Sequence, residues 1–209
     1  MYLPQHFVAD DESVDHVLAT FGAVDLVTIV NNTPYVSVLP MVYHADVGAK
    51  GVLRGHVARA NSQWEHAGAA VAIMRGVDGY ITPSFYPSAA EHGKVVPTWS
   101  YATLNVHGTL TAVHDDAWME AHLRALTEKY EAYEPEPWTV DDTPDGYVQQ
   151  RFSQIVGIEI VVSHVYGKTK LSQNKPAKDA AGVIDGLLRR GDEPLANATK
   201  KANANRLGD

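Results

Sequence analysis

The 209-residue chain contains no cysteine. That one absence removes disulfides, thiolate-held metals, iron–sulfur clusters and cysteine nucleophiles together. Positive charge is also scarce. Lys and Arg number 17 against 25 Asp and Glu, for a formal net charge of −8. So acidic a chain repels a phosphate backbone, which argues against direct DNA binding. Only the C-terminal part is locally basic, from Lys168 and Lys170 through Arg189, Arg190 and Arg206. No apolar run approaches the roughly 20 residues that cross a bilayer. The opening MYLPQHFVADDESVDH lacks the basic-then-apolar build of a signal peptide, so a cytoplasmic protein without membrane contact is expected.

Several motifs are missing as well. There is no G-x-G-x-x-G, H-E-x-x-H or G-x-S-x-G, and ten histidines are scattered without metal-ligand spacing. Gly167-Lys168-Thr169 imitates the end of a P-loop, but the position five residues before Gly167 holds Val162 rather than glycine. Metal sites and nucleotide-loop chemistry therefore have no support.

What is present is a β-rich pattern with helices added. Val14, Val17, Leu18 and Phe21 recur at helical spacing, predicting a helix over Asp11–Phe21. The runs Val24–Val30 and Tyr35–Tyr43 flank the turn signal NNTP and predict a hairpin. Further strands are expected near Val52–Arg59, Ala69–Met74, Gly79–Thr82, Val95–Val106 and Val156–Val165, the last buried on both faces. Helices are expected over Asp116–Tyr133, Tyr147–Ile155 and Lys178–Arg190, with a proline-broken surface connection over Glu134–Asp142. Short strands at close spacing with helices inserted late predict a mainly β, α+β fold, an antiparallel barrel carrying peripheral helices. Residues 1–190 form the expected domain. Residues 191–209, rich in Ala, Asn and Lys, are an expected weakly ordered or helical tail.

The segment Lys94–Gly108, KVVPTWSYATLNVHG, carries most of the chemistry. By strand alternation Trp99, Tyr101, Thr103, Asn105 and His107 share one face, and Thr98, Ser100, Ala102, Leu104 and Val106 share the other. Rings and neutral hydrogen-bonding groups on one face suit a planar polar ligand or a wet subunit interface. Three more clusters accompany it. GHVARANSQW ends a strand with Arg59, Asn61 and Trp64, and GYITPSFYP alternates rings and hydroxyls. KTKLSQNKP gathers cations, hydroxyls and the Gln173-Asn174 amides after a strand, groups that recognise anions and heteroaromatic rings.

These pieces, with MYLPQHF and IVGIEIVV and in this order, resemble the PaiB family, the FMN-binding negative transcriptional regulators. The likeness covers most of the chain from Met1 to about Arg190. It implies a flavin-binding split barrel, a homodimer, and FMN in a groove near the subunit interface. Three places depart from the family's usual pattern. Asn61-Ser62-Gln63-Trp64 stands for Asn-Pro-His-Trp, Trp99-Ser100-Tyr101 for Trp-Asn-Tyr, and Thr82-Pro83-Ser84-Phe85-Tyr86 for Ser-Pro-Ser-Trp-Tyr.

On this likeness FMN is expected between Arg59–Asn61, Thr98–Tyr101 and Lys170–Asn174. Arg59 or Lys170 would anchor the phosphate, aided by Thr98 or Ser172. Gln173 and Asn174 would meet the isoalloxazine edge, and Trp99 or Tyr101 would cover a ring face; Ser100 lies beside them. The alternatives are a flavin-dependent oxidoreductase, with His56 and His107 as the best proton-transfer candidates, and a haem-handling split-barrel enzyme ligating iron through His6 or His107.

Overall fold

A computed structural model describes residues 1–207 of the chain. The final two positions of the 191–209 tail lie outside the described residues.

The first helix, α1, runs over Asp11–Thr20. Strands β1 (Ala23–Val30) and β2 (Thr33–His44) form the expected hairpin, in register from Val30↔Thr33 to Ala23↔Pro40. Asn31 and Asn32 both take positive φ, 48° and 63°. This is the two-residue turn geometry that matches strand twist, and asparagine tolerates it better than most residues. Strand β3 spans Val52–Ala58.

Strand β4 runs unbroken from Gly68 to Ile81, where the sequence predicts two strands. Two glycines within it, Gly76 and Gly79, serve close packing. A Cβ at Gly76 would stand 3.1 Å from the Ala102 Cβ, and one at Gly79 would stand 2.7 Å from Leu195 Cδ2. A short helix, α2 (Pro87–His92), ends at Gly93 in the left-handed region. Strand β5 covers Thr98–Val113, and α3 covers Asp116–Glu131 with the Asp115 carboxylate accepting from the Trp118 N–H. The segment Val140–Asp142 is a single 3₁₀ turn, and Gln149–Gln154 is a 3₁₀ helix of six residues. Strand β6 (Ile155–Lys170) is followed by α4 (Ala177–Arg189) and α5 (Glu193–Leu207).

The six strands form an antiparallel barrel in the order β1-β2-β3-β6-β5-β4, closed where Asp25–Thr28 of β1 pairs with Ala70–Ile73 of β4. The double-sided burial expected for β6 is corrected. Val156, Ile158, Ile160 and Val162 are buried, but Val161 is 48% exposed, because a barrel wall has one interior face.

The chain divides into two compact units, and β4, β5 and β6 each run from one into the other. The first unit holds residues 1–17, 75–104 and the chain from Tyr166 onward; the second holds residues 18–74 and 105–165. In the second unit the barrel interior is filled by Leu26, Met41, Leu53, Met74, Leu110, Ile158 and Ile160, each essentially without solvent exposure. In the first, Ile81, Tyr86, Leu171, Val183, Leu187, Leu195 and Ala196 form one apolar cluster. The C-terminal region thus supplies core. In α5, Leu195, Thr199 and Asn203 lie on one buried stripe at four-residue spacing. The sparse apolar content of residues 192–209 concealed this, because two of the three stripe positions are polar. Leu195→Ala is expected to cost about 2–5 kcal/mol, the range for truncating a buried leucine. Urea unfolding with an unchanged midpoint would show that α5 is not part of the core.

Candidate functional site

In the first unit a pocket of about 110 Å³ opens between the start of β5 and the loop after β6. Val96, Pro97, Thr98 and Ser100 form one side; Lys170, Ser172, Asn174 and Lys175 form the other. Strand alternation decides which β5 groups reach it. Thr98 and Ser100 line the pocket, so Trp99 and Tyr101 turn to the opposite face. Trp99 is 51% exposed, its indole N–H donates to Asp78 Oδ1 at 3.1 Å, and its ring lies tilted against Tyr80. The two rings expected to cover a ligand thus do not share the seat of Thr98.

Lys170 ties the two sides together. Its Nζ donates to Thr98 Oγ1 at 2.6 Å and to the Trp99 carbonyl at 2.7 Å. Its pKa lies below the usual lysine value, mainly through desolvation and further through the neighbouring Lys168 and Lys175 charges, while Tyr101 opposes the shift. Lys168, 7% exposed, donates to the Tyr2 carbonyl and lies 5.3 Å from the Tyr101 ring centre. Lys175 lies 5.0 Å from the Tyr86 ring centre. Among the described residues none of these three lysines pairs with a carboxylate. Three uncompensated cations in so acidic a chain make a local patch of positive potential, which favours an anion.

The loop amides divide in their roles. Gln173 is occupied within the loop, its Oε1 accepting from the Leu171 N–H and its Nε2 donating to the Thr169 carbonyl, both at 2.7 Å. It staples the loop to itself. Asn174 is exposed and lines the pocket.

Arg59 and Asn61 belong to the second unit and have structural work there. Arg59 Nε donates to the Ser153 carbonyl at 2.7 Å, and a terminal nitrogen donates to the Ile155 carbonyl at 3.0 Å. Asn61 Oδ1 accepts from the Gln63 N–H, capping the 3₁₀ turn Ser62–Glu65, and its Nδ2 donates to Ser37 Oγ. Gln63, where the family pattern has histidine, is fully buried and donates to the Leu26 carbonyl and Thr28 Oγ1.

The histidines singled out by sequence are poorly placed for proton transfer at neutral pH. His56 Nδ1 lies 3.1 Å from His122 Nε2, and Trp118 stacks on His122. Desolvation lowers both pKa values, that of His122 to about 3 with the His56 charge as its next cause. His107 is also lowered, mainly by desolvation. His6 is exposed, edge-on to Phe7. Sequence reasoning missed His122, Lys175 and the α5 side chains that hold the loop. For Lys175 the signal was its place in KTKLSQNKP; for the others the partner is remote in sequence.

The family model described as "Putative FMN-binding domain" matches residues 1–164. The chain belongs to that family. A Bacillus subtilis protein named "Protease synthase and sporulation protein PAI 2" is 28% identical over 90% of this chain and 89% of its own. An Emericella nidulans protein, "Uncharacterized protein AN0679", is 31% identical over 69% of each chain. Among solved structures, the flavocytochrome Anf3 from Azotobacter vinelandii superposes with a TM-score of 0.58 at 12% identity, over 77% of this chain and 67% of that one. That likeness shows the split-barrel fold. Among the described residues no helix is long and apolar enough to cross a membrane.

The histidine pair yields a pH prediction. A histidine whose folded pKa lies below its unfolded value of about 6.5 binds more protons when unfolded, so its contribution is complete above that value and is lost as pH falls toward 3. His122 should therefore show no imidazole titration by NMR between pH 8 and about 5. His122→Phe should flatten the fall in stability between about pH 6.5 and 5. A His122 resonance titrating near 6.5 would contradict this environment.

Proposed function

We propose that this chain binds FMN through its phosphate, acts as a two-fold dimer, and serves in negative regulation by responding to flavin state. Family membership supplies the flavin, and one observation carries the placement: the pocket of about 110 Å³ beside Lys170, Lys175, Thr98, Ser100 and Asn174. Its volume is below the roughly 300–1,000 Å³ of a complete ligand pocket, so it suits a phosphate group and leaves a ring system outside. The chemistry also fits. A phosphate monoester is nearly dianionic at neutral pH, and the lysines here lack carboxylate partners. Lys170, Lys175 and Asn174 would hold the phosphate, with the Ser100 hydroxyl beside them. When bound, FMN supplies hydride and electron chemistry; the protein orients it. The net charge of −8 favours regulation through a partner protein over direct contact with duplex DNA.

The dimer reading rests on outward apolar groups. Ile29, Val36 and Val38 on the β1–β2 hairpin are 66%, 56% and 70% exposed, and Trp99 is half exposed on β5. Such groups are enriched in subunit contacts. Light scattering at micromolar concentration should give a mass near twice 22.8 kDa; a mass of one chain rejects the dimer.

Titration of FMN into apo-protein, followed by quenching of flavin fluorescence, tests the binding. Lys170→Ala should weaken FMN about 10- to 150-fold, since a charge-assisted bond contributes about 1.5–3 kcal/mol. Arg59→Ala should leave affinity nearly unchanged, because its guanidinium is held by the Ser153 and Ile155 carbonyls. Wild-type protein that does not quench FMN at high micromolar concentration ends the flavin reading.

A further inference from the structure

The loop Leu171–Lys175 has an unusual imbalance between its acceptors and its donors. The Leu171 carbonyl accepts from Asn203 Nδ2 at 2.8 Å, the Gln173 carbonyl from Arg206 at 2.7 Å, and the Lys175 carbonyl from the other Arg206 nitrogen. The Ser172 carbonyl accepts from the Lys175 N–H at 2.9 Å. Four carbonyls are thus satisfied. By contrast, the N–H groups of Ser172, Gln173 and Asn174 have no protein acceptor among the described residues. Backbone donors at a partly buried loop demand acceptors.

The backbone shape agrees. Ser172 has φ of 70°, the left-handed region that few residues other than glycine enter. A left-handed residue at such a bend turns successive N–H groups into a concavity that takes anions. Ser172 is 5% exposed, and it lines the pocket together with Lys170 and Lys175. Two of the three donors sit on residues that line this pocket, Ser172 and Asn174.

The support comes from α5. Asn203 is 1% exposed and bridges the Thr199 and Leu171 carbonyls, and Arg206 also contacts Asn203 Oδ1 at 3.0 Å. Both residues lie beyond residue 164, where the family match ends. An unbound carbonyl oxygen beside the pocket would repel a phosphate oxygen. Arg206 engages two such oxygens and adds a positive charge.

We propose that the loop Leu171–Lys175 is a seat for a phosphate monoester, and that Arg206 and Asn203 of α5 are positioning residues that turn its carbonyls away and leave its N–H groups for the phosphate. The proposal rests on the flavin reading for its natural ligand, and its chemistry extends to any phosphate monoester of fitting shape.

Riboflavin, which lacks the phosphate, separates positioning from mere structural support. Wild type, Arg206→Ala and Arg206→Lys are each titrated with FMN and with riboflavin, following flavin fluorescence. Arg206→Ala should weaken FMN about tenfold or more while leaving riboflavin binding unchanged. Arg206→Lys, able to hold one carbonyl, should fall between. Equal loss for both flavins, or no loss for either, overturns the proposal. If Arg206→Ala does not fold, Arg206→Lys decides alone: FMN affinity equal to wild type overturns the proposal, and a selective loss of FMN upholds it.

A second arm keeps this result distinct from the flavin reading. Inorganic phosphate should raise the melting temperature of wild type above that in chloride of equal ionic strength, and Arg206→Lys should reduce the rise. If no flavin binds but this phosphate response is seen, the loop assignment stands and the flavin reading falls. If wild type responds to neither FMN nor phosphate, the seat itself is refuted.

Discussion

The pairing of Asp25–Thr28 with Ala70–Ile73 closes the sheet, and the rest of the molecule depends on that closure. An open six-stranded sheet would leave two rows of unpaired backbone groups, whereas a barrel leaves none. Closure also sets the interior. Leu26, Met41, Leu53, Met74, Leu110, Ile158 and Ile160 fill the space between walls. β4, β5 and β6 are 14 to 16 residues long, and the far ends of β5 and β6 carry the pocket.

Electrostatics then select what the pocket can take. In a chain with an excess of carboxylates, ion pairing would be the ordinary fate of a lysine, as with Lys178 and Glu91 or Lys201 and Glu12. Lys168, Lys170 and Lys175 instead meet aromatic rings, a hydroxyl and backbone carbonyls. These partners hold the ammonium groups in place without neutralising them. The cluster keeps its positive field, and the Lys170 pKa is held low chiefly by desolvation, with the Lys168 and Lys175 charges adding to it.

The second unit uses its polar groups for the opposite purpose. Arg59, Asn61 and Gln63 each satisfy backbone or side-chain groups of neighbouring segments. The departures from the family pattern at Ser62 and Gln63 therefore fall in a region of structural hydrogen bonding. The pair of half-buried His56 and buried His122 adds a neutral contact between β3 and α3, stable while both rings remain uncharged.

Sequence alone determined the local elements. The turn signal at Asn31-Asn32 marked a tight hairpin, helical periodicity announced α3, and alternation along Thr98–Val106 separated the faces of β5 correctly. It also carried the family likeness. Only the tertiary structure decided which polar groups remain free. Periodicity reports which face of an element is apolar; it says nothing of which donor meets which acceptor across a large separation in the chain. Gln173 was drawn inward by Thr169, Arg59 was claimed by the carbonyls of Ser153 and Ile155, and Gly79 was required by Leu195 far along the chain. The role of α5 was hidden for the same reason. Its buried stripe reads as Leu195, Thr199 and Asn203, and the two polar positions gain meaning only through the Leu171 carbonyl that Asn203 meets and the Leu195 carbonyl that Thr199 meets.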